Sequence, residues 1–355
     1  MFEKCNHIFV KSLITFESNE YKITEKCDKA FANSYIESLY FPPDSYVEVI
    51  GNSIFENSNV KKVFIPQSLI KLNDLWCKDA KLLNEIDVDP KNQFFVNKDG
   101  FLIYKKMSEL EILFAPSNVE GEILVPEEVT RIGSYSFSRC QKITSLKSSS
   151  FQLKEVGSHS FCQCKNLKSV VFQQQESQVN FDSCCFSGTR SLETVELSCK
   201  SIQFGNSCFI VATNLNEVKI KGSEVNTNND CFKHCSSIRC LSIQADKVEI
   251  GDNQFSNLKL LEEIRIEVKS DANFGVGCFS GAENLKSVTI IGKNVYISNS
   301  CFINWHSPSK LTIPDSFNKK KLRMINASFF NYIQNKNFFF LILFLTSSIS
   351  FLILL

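Results

Sequence analysis

Glycine is scarce in this sequence, 13 residues in 355, and methionine and tryptophan are scarcer, at 3 and 2. So little glycine argues against a phosphate-cradling loop and against a linker-rich chain. Neither sign of charge is in excess: 39 Lys and Arg against 38 Asp and Glu leave +1. That balance removes the electrostatic basis for nucleic-acid binding. Walker loop, dinucleotide fingerprint and H-E-x-x-H are all missing. Histidine is also rare; His159 and His234 are isolated, and His7 and His306 lie outside any ligand spacing. The close cysteines, Cys162 with Cys164 and Cys184 with Cys185, do not have the C-x2-C spacing of a tetrahedral zinc site. The expectation is a non-enzymatic protein, with no catalytic residues, no cofactor and no metal.

What the chain has instead is phenylalanine, 32 residues against 8 Tyr. Phe137, Phe161, Phe186, Phe209, Phe232, Phe255, Phe279 and Phe302 follow one another at intervals of 24, 25, 23, 23, 23, 24 and 23 residues. Six residues after each of the first seven stands Ile143, Leu167, Leu192, Leu215, Ile238, Leu261 or Leu285. Nine after stands Leu146, Val170, Val195, Val218, Leu241, Ile264 or Val288. Five before most copies comes another apolar residue, as at Ile132, Val156, Phe181 and Phe204. Earlier copies fit around Phe31 and Phe55 with one residue deleted, and around Cys77, which takes the Phe slot. A repeat of this length cannot bury its apolar side alone, whereas stacked copies can. The pattern predicts a β-rich solenoid of about eleven repeats of 23–25 residues, its Phe residues aligned as an aromatic spine.

Between Cys77 and Phe137 the spacing is 60 residues, roughly 36 more than one repeat needs. Asp99-Gly100 between apolar runs is a hairpin signal, and a polar turn follows at Lys105 to Glu109. This predicts a β-hairpin or three-strand insertion at about 91–120 that leaves the stack and returns to it. The residue before the spine Phe is usually small: Ser136, Ser160, Cys185, Cys208, Cys231, Cys278 and Cys301, with Gln254 the exception. Cysteine serves there as a small hydrophobe. Cys140, Cys164 and Cys235 fall in a second small slot, three residues after the Phe. The 15 cysteines are odd in number, and stacked pairs such as Cys208 and Cys231 would lie parallel, a poor orientation for a bridge. Reduced thiols are expected.

The stretches "IGSYSFSRCQKITSL" and "VGSHSFCQCKNLKSVVF" resemble the BspA-like subclass of leucine-rich repeats, over about residues 27–315. The resemblance implies a leucine-rich-repeat superhelix with a parallel sheet along one face. It also implies a place among surface antigens and adhesins of bacteria and parasitic protists. This sequence departs from the pattern in having Cys for the usual Ala before Phe. Proline is also missing after most strands, surviving at Pro42, Pro66 and Pro314.

In such a stack the outward strand positions form a continuous face. One row would carry Lys147, Val171, Glu196, Lys219, Ser242, Arg265 and Thr289, and its neighbour Ser145, Ser169, Thr194, Glu217, Cys240, Glu263 and Ser287. From these, Lys147, Glu196, Lys219, Arg265, Thr194, Glu217 and Glu263 are the candidate concave binding residues. Mixed charge points to a protein or glycan partner, and these rows hold no aromatic ladder of a carbohydrate track.

Residues 338–355 carry no charge and reach about 27 Å as a helix, near the thickness of a bilayer core. The expected layout is an N-terminal cap (1–26), the solenoid (27–315), a basic juxtamembrane linker (316–337) and a transmembrane helix in membrane lipid (338–355). Lys319, Lys320, Lys321, Arg323 and Lys336 precede the span and would place the repeats in the cytosol. The first residues lack a signal-peptide core. Asn326, Ala327 and Ser328 followed by a spacer and the apolar tail also match a GPI signal, which would place the repeats outside. Two functions stand: a membrane-anchored adhesion or recognition protein at the cell surface, or an intracellular tail-anchored scaffold.

Overall fold

The structure, a computed structural model, describes residues 7–16, 19–42, 44–298, 301–302 and 310–312. The juxtamembrane linker 316–337, the span 338–355, His306 and Pro314 lie outside them. Among the described residues every regular element is a β-strand, and none forms a helix long and apolar enough to cross a membrane.

Each repeat makes one turn of a solenoid. The first side of the turn is built from the alternating run nine residues after the Phe. Leu146, Val170, Val195, Val218, Leu241, Ile264, Val288 and Leu311 pair in sequence, parallel and in register. Alternation turns one set of side chains inward, and these residues are buried from Leu146 to Val288. The second side is a shorter parallel ladder, Ile132, Val156, Phe181, Phe204, Thr227, Ile250, Phe274 and Ile297. Thr227 is the polar intruder in that row, and its Oγ1 accepts the Gly251 N–H at 3.0 Å.

The third side carries the Phe. Rings from Phe137 to Phe302 stack with centroids 4.7 to 5.4 Å apart and planes within 17° of parallel. The spacing is that of neighbouring strands, because each rung contributes one ring. No strand forms here, yet the backbone pairs between rungs: Phe161 N–H donates to the Cys185 carbonyl at 2.7 Å and Phe186 N–H to that of Cys208 at 2.8 Å. From Phe137 to Phe279 the two residues flanking each Phe at a distance of two are left-handed, as at Tyr135 and Arg139 (φ 60° and 65°) and at Ser207 and Val211 (58° and 64°). That turn lets three N–H groups of one rung reach the next, for example those of Tyr135, Phe137 and Arg139. Periodicity of apolar residues does not report it, since Lys, Asn, Tyr, His, Cys and Val all occupy these sites.

The small slots are filled as their size demands. Cys185, Cys208, Cys231, Cys278 and Cys301 are wholly buried, as are Cys140, Cys164 and Cys235. Their thiols reach backbone carbonyls, as Cys231 Sγ does at 2.9 Å from Gly205 and Cys164 Sγ at 3.0 Å from Phe137. Gln254 fits because its Oε1 accepts the Cys231 N–H at 3.1 Å. In the Cys77 rung, Cys77 takes the Phe register, but the ring comes from the residue before it. Trp76 lies 6.3 Å from Phe55 and 5.8 Å from Phe114.

The insertion does not leave the stack. Strands Phe95–Lys98, Phe101–Lys106 and Glu109–Phe114 form an antiparallel meander, turning at Asp99 and Gly100, both at positive φ. Its last strand then pairs parallel with Arg131–Ile132 on the second side. Both faces of the meander are buried. Phe95, Leu102, Leu113 and Phe114 join the core of the N-terminal rungs, while Phe101, Ile103 and Ile112 join that of the following rungs. A strand whose two faces are both apolar has to lie between two cores, which is why the meander is interleaved.

Candidate binding face

The outward positions of the first side form two unbroken rows. Lys147, Val171, Glu196, Lys219, Ser242, Arg265, Thr289 and Thr312 are successive partners in the parallel ladder. So are Ser145, Ser169, Thr194, Glu217, Cys240, Glu263, Ser287 and Lys310, and Glu122 extends this row upstream of Ser145. All seven candidate residues therefore share one face, with Lys147, Glu196, Lys219, Arg265 and Glu263 exposed and Thr194 and Glu217 partly covered.

Neighbouring charges on this face pair with one another. Lys219 Nζ lies 2.7 Å from Glu217, Arg265 NH2 2.5 Å from Glu267, and Lys147 Nζ 2.6 Å from Glu122. The hydrogen bond that Lys219 donates to Glu217 raises the Lys219 pKa, and those donated by Lys147 and Ser145 lower that of Glu122. Glu122 and Glu267 lay outside the sequence-derived set, although the first stands at the same register as Ser145.

A second charged group was not visible in the repeat pattern. Arg131 lies between Glu111 at 3.1 Å and Glu155 at 2.8 Å on the second side. Glu111 comes from the meander, so its approach to Arg131 depends on how the insertion is stacked. Burial pushes its carboxyl up to about 7, with Asp74 and Glu155 adding to that shift and Arg131 opposing it. Asp182 is likewise raised, by burial first and then by Glu155. Among the described residues no group of three or more His, Cys, Asp or Glu is disposed to hold a metal ion.

The spine thiols are held protonated. Burial pushes Cys77, Cys140 and Cys235 up to about 12, and Cys164, Cys208 and Cys231 well above the ordinary thiol value. None of the described cysteines forms a disulfide. An open cleft of about 480 Å³ lies where the two sides meet, lined by Lys200, Lys221, Ser223 and Asp246 among others. Lys269 Nζ closes on Asp246 there at 2.7 Å.

One row departs from the sequence expectation. In the N-terminal rungs the register of Lys147 is occupied by Phe9, Tyr40 and Phe64 before it turns polar at Asp87. The outer face does hold an aromatic ladder, upstream of the rows considered from sequence. Its signal was the ring following Ile8, Leu39 and Val63, the inward residues of those strands.

Parallel rungs, an interior ladder of Leu, Ile and Val, and a polar outer strand face together define a leucine-rich-repeat solenoid. The BspA-type leucine-rich repeat region matches residues 1–101, 111–239 and 202–337, and the chain belongs to that family. A leucine-rich repeat protein from Eubacterium ventriosum is similar in structure, with a TM-score of 0.58 at 18% identity, over 84% of this chain and 72% of that one. Another, from Bacteroides ovatus, has a TM-score of 0.48 at 18% identity, over 88% of this chain and 82% of that one. At 18% identity the likeness to the Eubacterium ventriosum protein is one of fold. No curated protein matches the sequence.

Proposed function

We propose that this protein is a non-enzymatic binding protein of the cell surface, anchored to the membrane through residues 338–355, whose outer strand face adheres to a protein or glycan partner. The observation that supports this reading is the pair of continuous outward rows, in which residues far apart in sequence present one surface over a buried apolar core. A solenoid of this type offers an extended surface rather than a pocket, and binding over it needs no chemistry from the side chains. Adhesion is tested by coating beads with the full chain and measuring their attachment to host cells. Attachment should fall when Lys147, Lys219 and Arg265 are changed together to Glu. Unchanged attachment in that variant would remove the face from the proposal.

A second reading is an intracellular tail-anchored scaffold. It is favoured by the described cysteines' forming no disulfide, which suits a reducing compartment, and by the basic residues preceding the apolar tail. Protease treatment of intact cells separates the two. Loss of the repeats places them outside, and full protection places them in the cytosol.

A further inference from the structure

The ladder Phe9–Tyr40–Phe64 has ring centroids 5.3 and 4.9 Å apart, one ring from each successive rung. Phe9 is 72% exposed, and Tyr40 and Phe64 are half-buried. Beside it runs a row of hydrogen-bonding groups in the same register: His7, Ser38, Lys62 and Glu85. His7 Nδ1 and Ser38 Oγ are 2.6 Å apart. Lys62 Nζ is held between Glu85 at 2.5 Å and Asp87 at 2.8 Å.

Core packing does not explain these rings. The inward row of the same strands, with Leu39, Val63 and Ile86, is buried and supplies the core on the opposite side. Cross-strand aromatic pairs do stabilise a sheet, but that effect does not require a terminal ring left this open. In the later rungs the same register holds Leu124, Lys147, Val171, Glu196, Lys219, Ser242 and Arg265, with no aromatic ring among them.

We infer that this strip binds a neutral, extended pyranose chain lying across the rungs. A pyranose presents an apolar C–H face to an aromatic ring and hydroxyls at its rim. The strip offers rings in one row, ending at the Asp87 carboxylate, and in the next the Ser38 hydroxyl, the Lys62 ammonium that donates and the Glu85 carboxylate that accepts. Its one-ring-per-rung spacing, 5.3 and 4.9 Å, puts a ring under successive units, which suits a polymer better than a compact ligand. Charge selects against a sulfated or uronate chain, because the one lysine already lies against two carboxylates. Area selects against a folded protein, since a stable interface needs about 800 Å² per partner and this strip offers one open ring and two half-covered ones. The site is separate from the face between Lys147 and Thr289, and does not depend on adhesion through it.

The test is titration calorimetry of the full chain with three neutral hexasaccharides (β-1,4-glucan, β-1,3-glucan and β-1,4-linked N-acetylglucosamine) and with a heparin hexasaccharide. At least one neutral chain should bind and heparin should not. Phe9→Ala should weaken that binding about tenfold or more, and Tyr40→Phe, which keeps the ring, should leave it close to the parent. Phe9 is exposed enough that its removal leaves the fold intact, which the thermal midpoint checks. Lys219→Glu, on the other face region, should change nothing. Failure of all three neutral chains to bind, binding of heparin alone, or full affinity in Phe9→Ala overturns the inference.

Discussion

Phe186 and Phe209 stand 5.0 Å apart, ring centroid to ring centroid, with planes 5° from parallel. Their residues are 23 apart in sequence, so the stack is a tertiary contact made once per turn. Both side chains are wholly buried and touch the rungs above and below.

Truncating a ring in the middle of this spine removes contacts on two sides. Phe209→Ala should cost about 3–5 kcal/mol, since close packing on both sides limits collapse into the cavity. Denaturant titration measures it. A cost below about 1 kcal/mol would contradict a packed spine.

Val211 is a β-branched residue at φ 64°, where such side chains are strained. Asn33, Asn57 and Asn257 hold the equivalent place at φ 52° to 60°, and asparagine tolerates that conformation. Val211→Asn is expected to raise stability by about 1 kcal/mol, read as a higher urea midpoint. A lower midpoint would mean that Val211 packing outweighs the strain.

Glu111 gives the fold a pH dependence. Its carboxyl moves from 4.5 to about 7 on folding, chiefly through burial. Between those values the unfolded chain has lost a proton that the folded chain keeps. The contribution of Glu111 is therefore fully present below pH 4.5, falls as pH rises, and levels off above about 7. Urea midpoints measured across this range should decline more steeply in the parent than in Glu111→Gln. Equal slopes would show that Arg131 keeps the carboxylate charged.

The thiols should react in order of exposure. Cys27 and Cys240 are exposed, Cys162 and Cys184 half-buried, and the spine cysteines buried. Burial also keeps Cys140 and Cys235 protonated, at about 12, and the thiolate is the reactive form. Timed alkylation at pH 8 followed by mass spectrometry should label Cys27 and Cys240 first. Cys140, Cys164, Cys208, Cys231 and Cys235 should be labelled only in denaturant. Early labelling of Cys208 or Cys231 would mean that the rungs open locally.

The repeat, its period and the identity of its inward residues were legible in the sequence, because a parallel stack places every copy of a position in one environment. Leu146, Val170, Val195 and Val218 must all be apolar for the same reason, and repetition makes that requirement visible. The two outward rows followed from the same register. Cys77 does stand in the Phe register, but alignment of copies cannot show that the ring of that rung comes from Trp76 beside it.

Other features were decided only in three dimensions. Left-handed residues on both sides of the Phe rings from Phe137 to Phe279 leave no mark in the apolar periodicity, because backbone bonding between rungs imposes that conformation on Tyr, Arg, His and Val as well as on Asn, Asp and Gly. The meander breaks the period, so register is silent about its position; the apolar residues on both its faces lodge it between two cores. From that placement comes the approach of Glu111 to Arg131, a pair set by stacking rather than by sequence spacing. The periodic part of the chain determined the solenoid, whereas contacts that cross the break in the period had to be decided by packing.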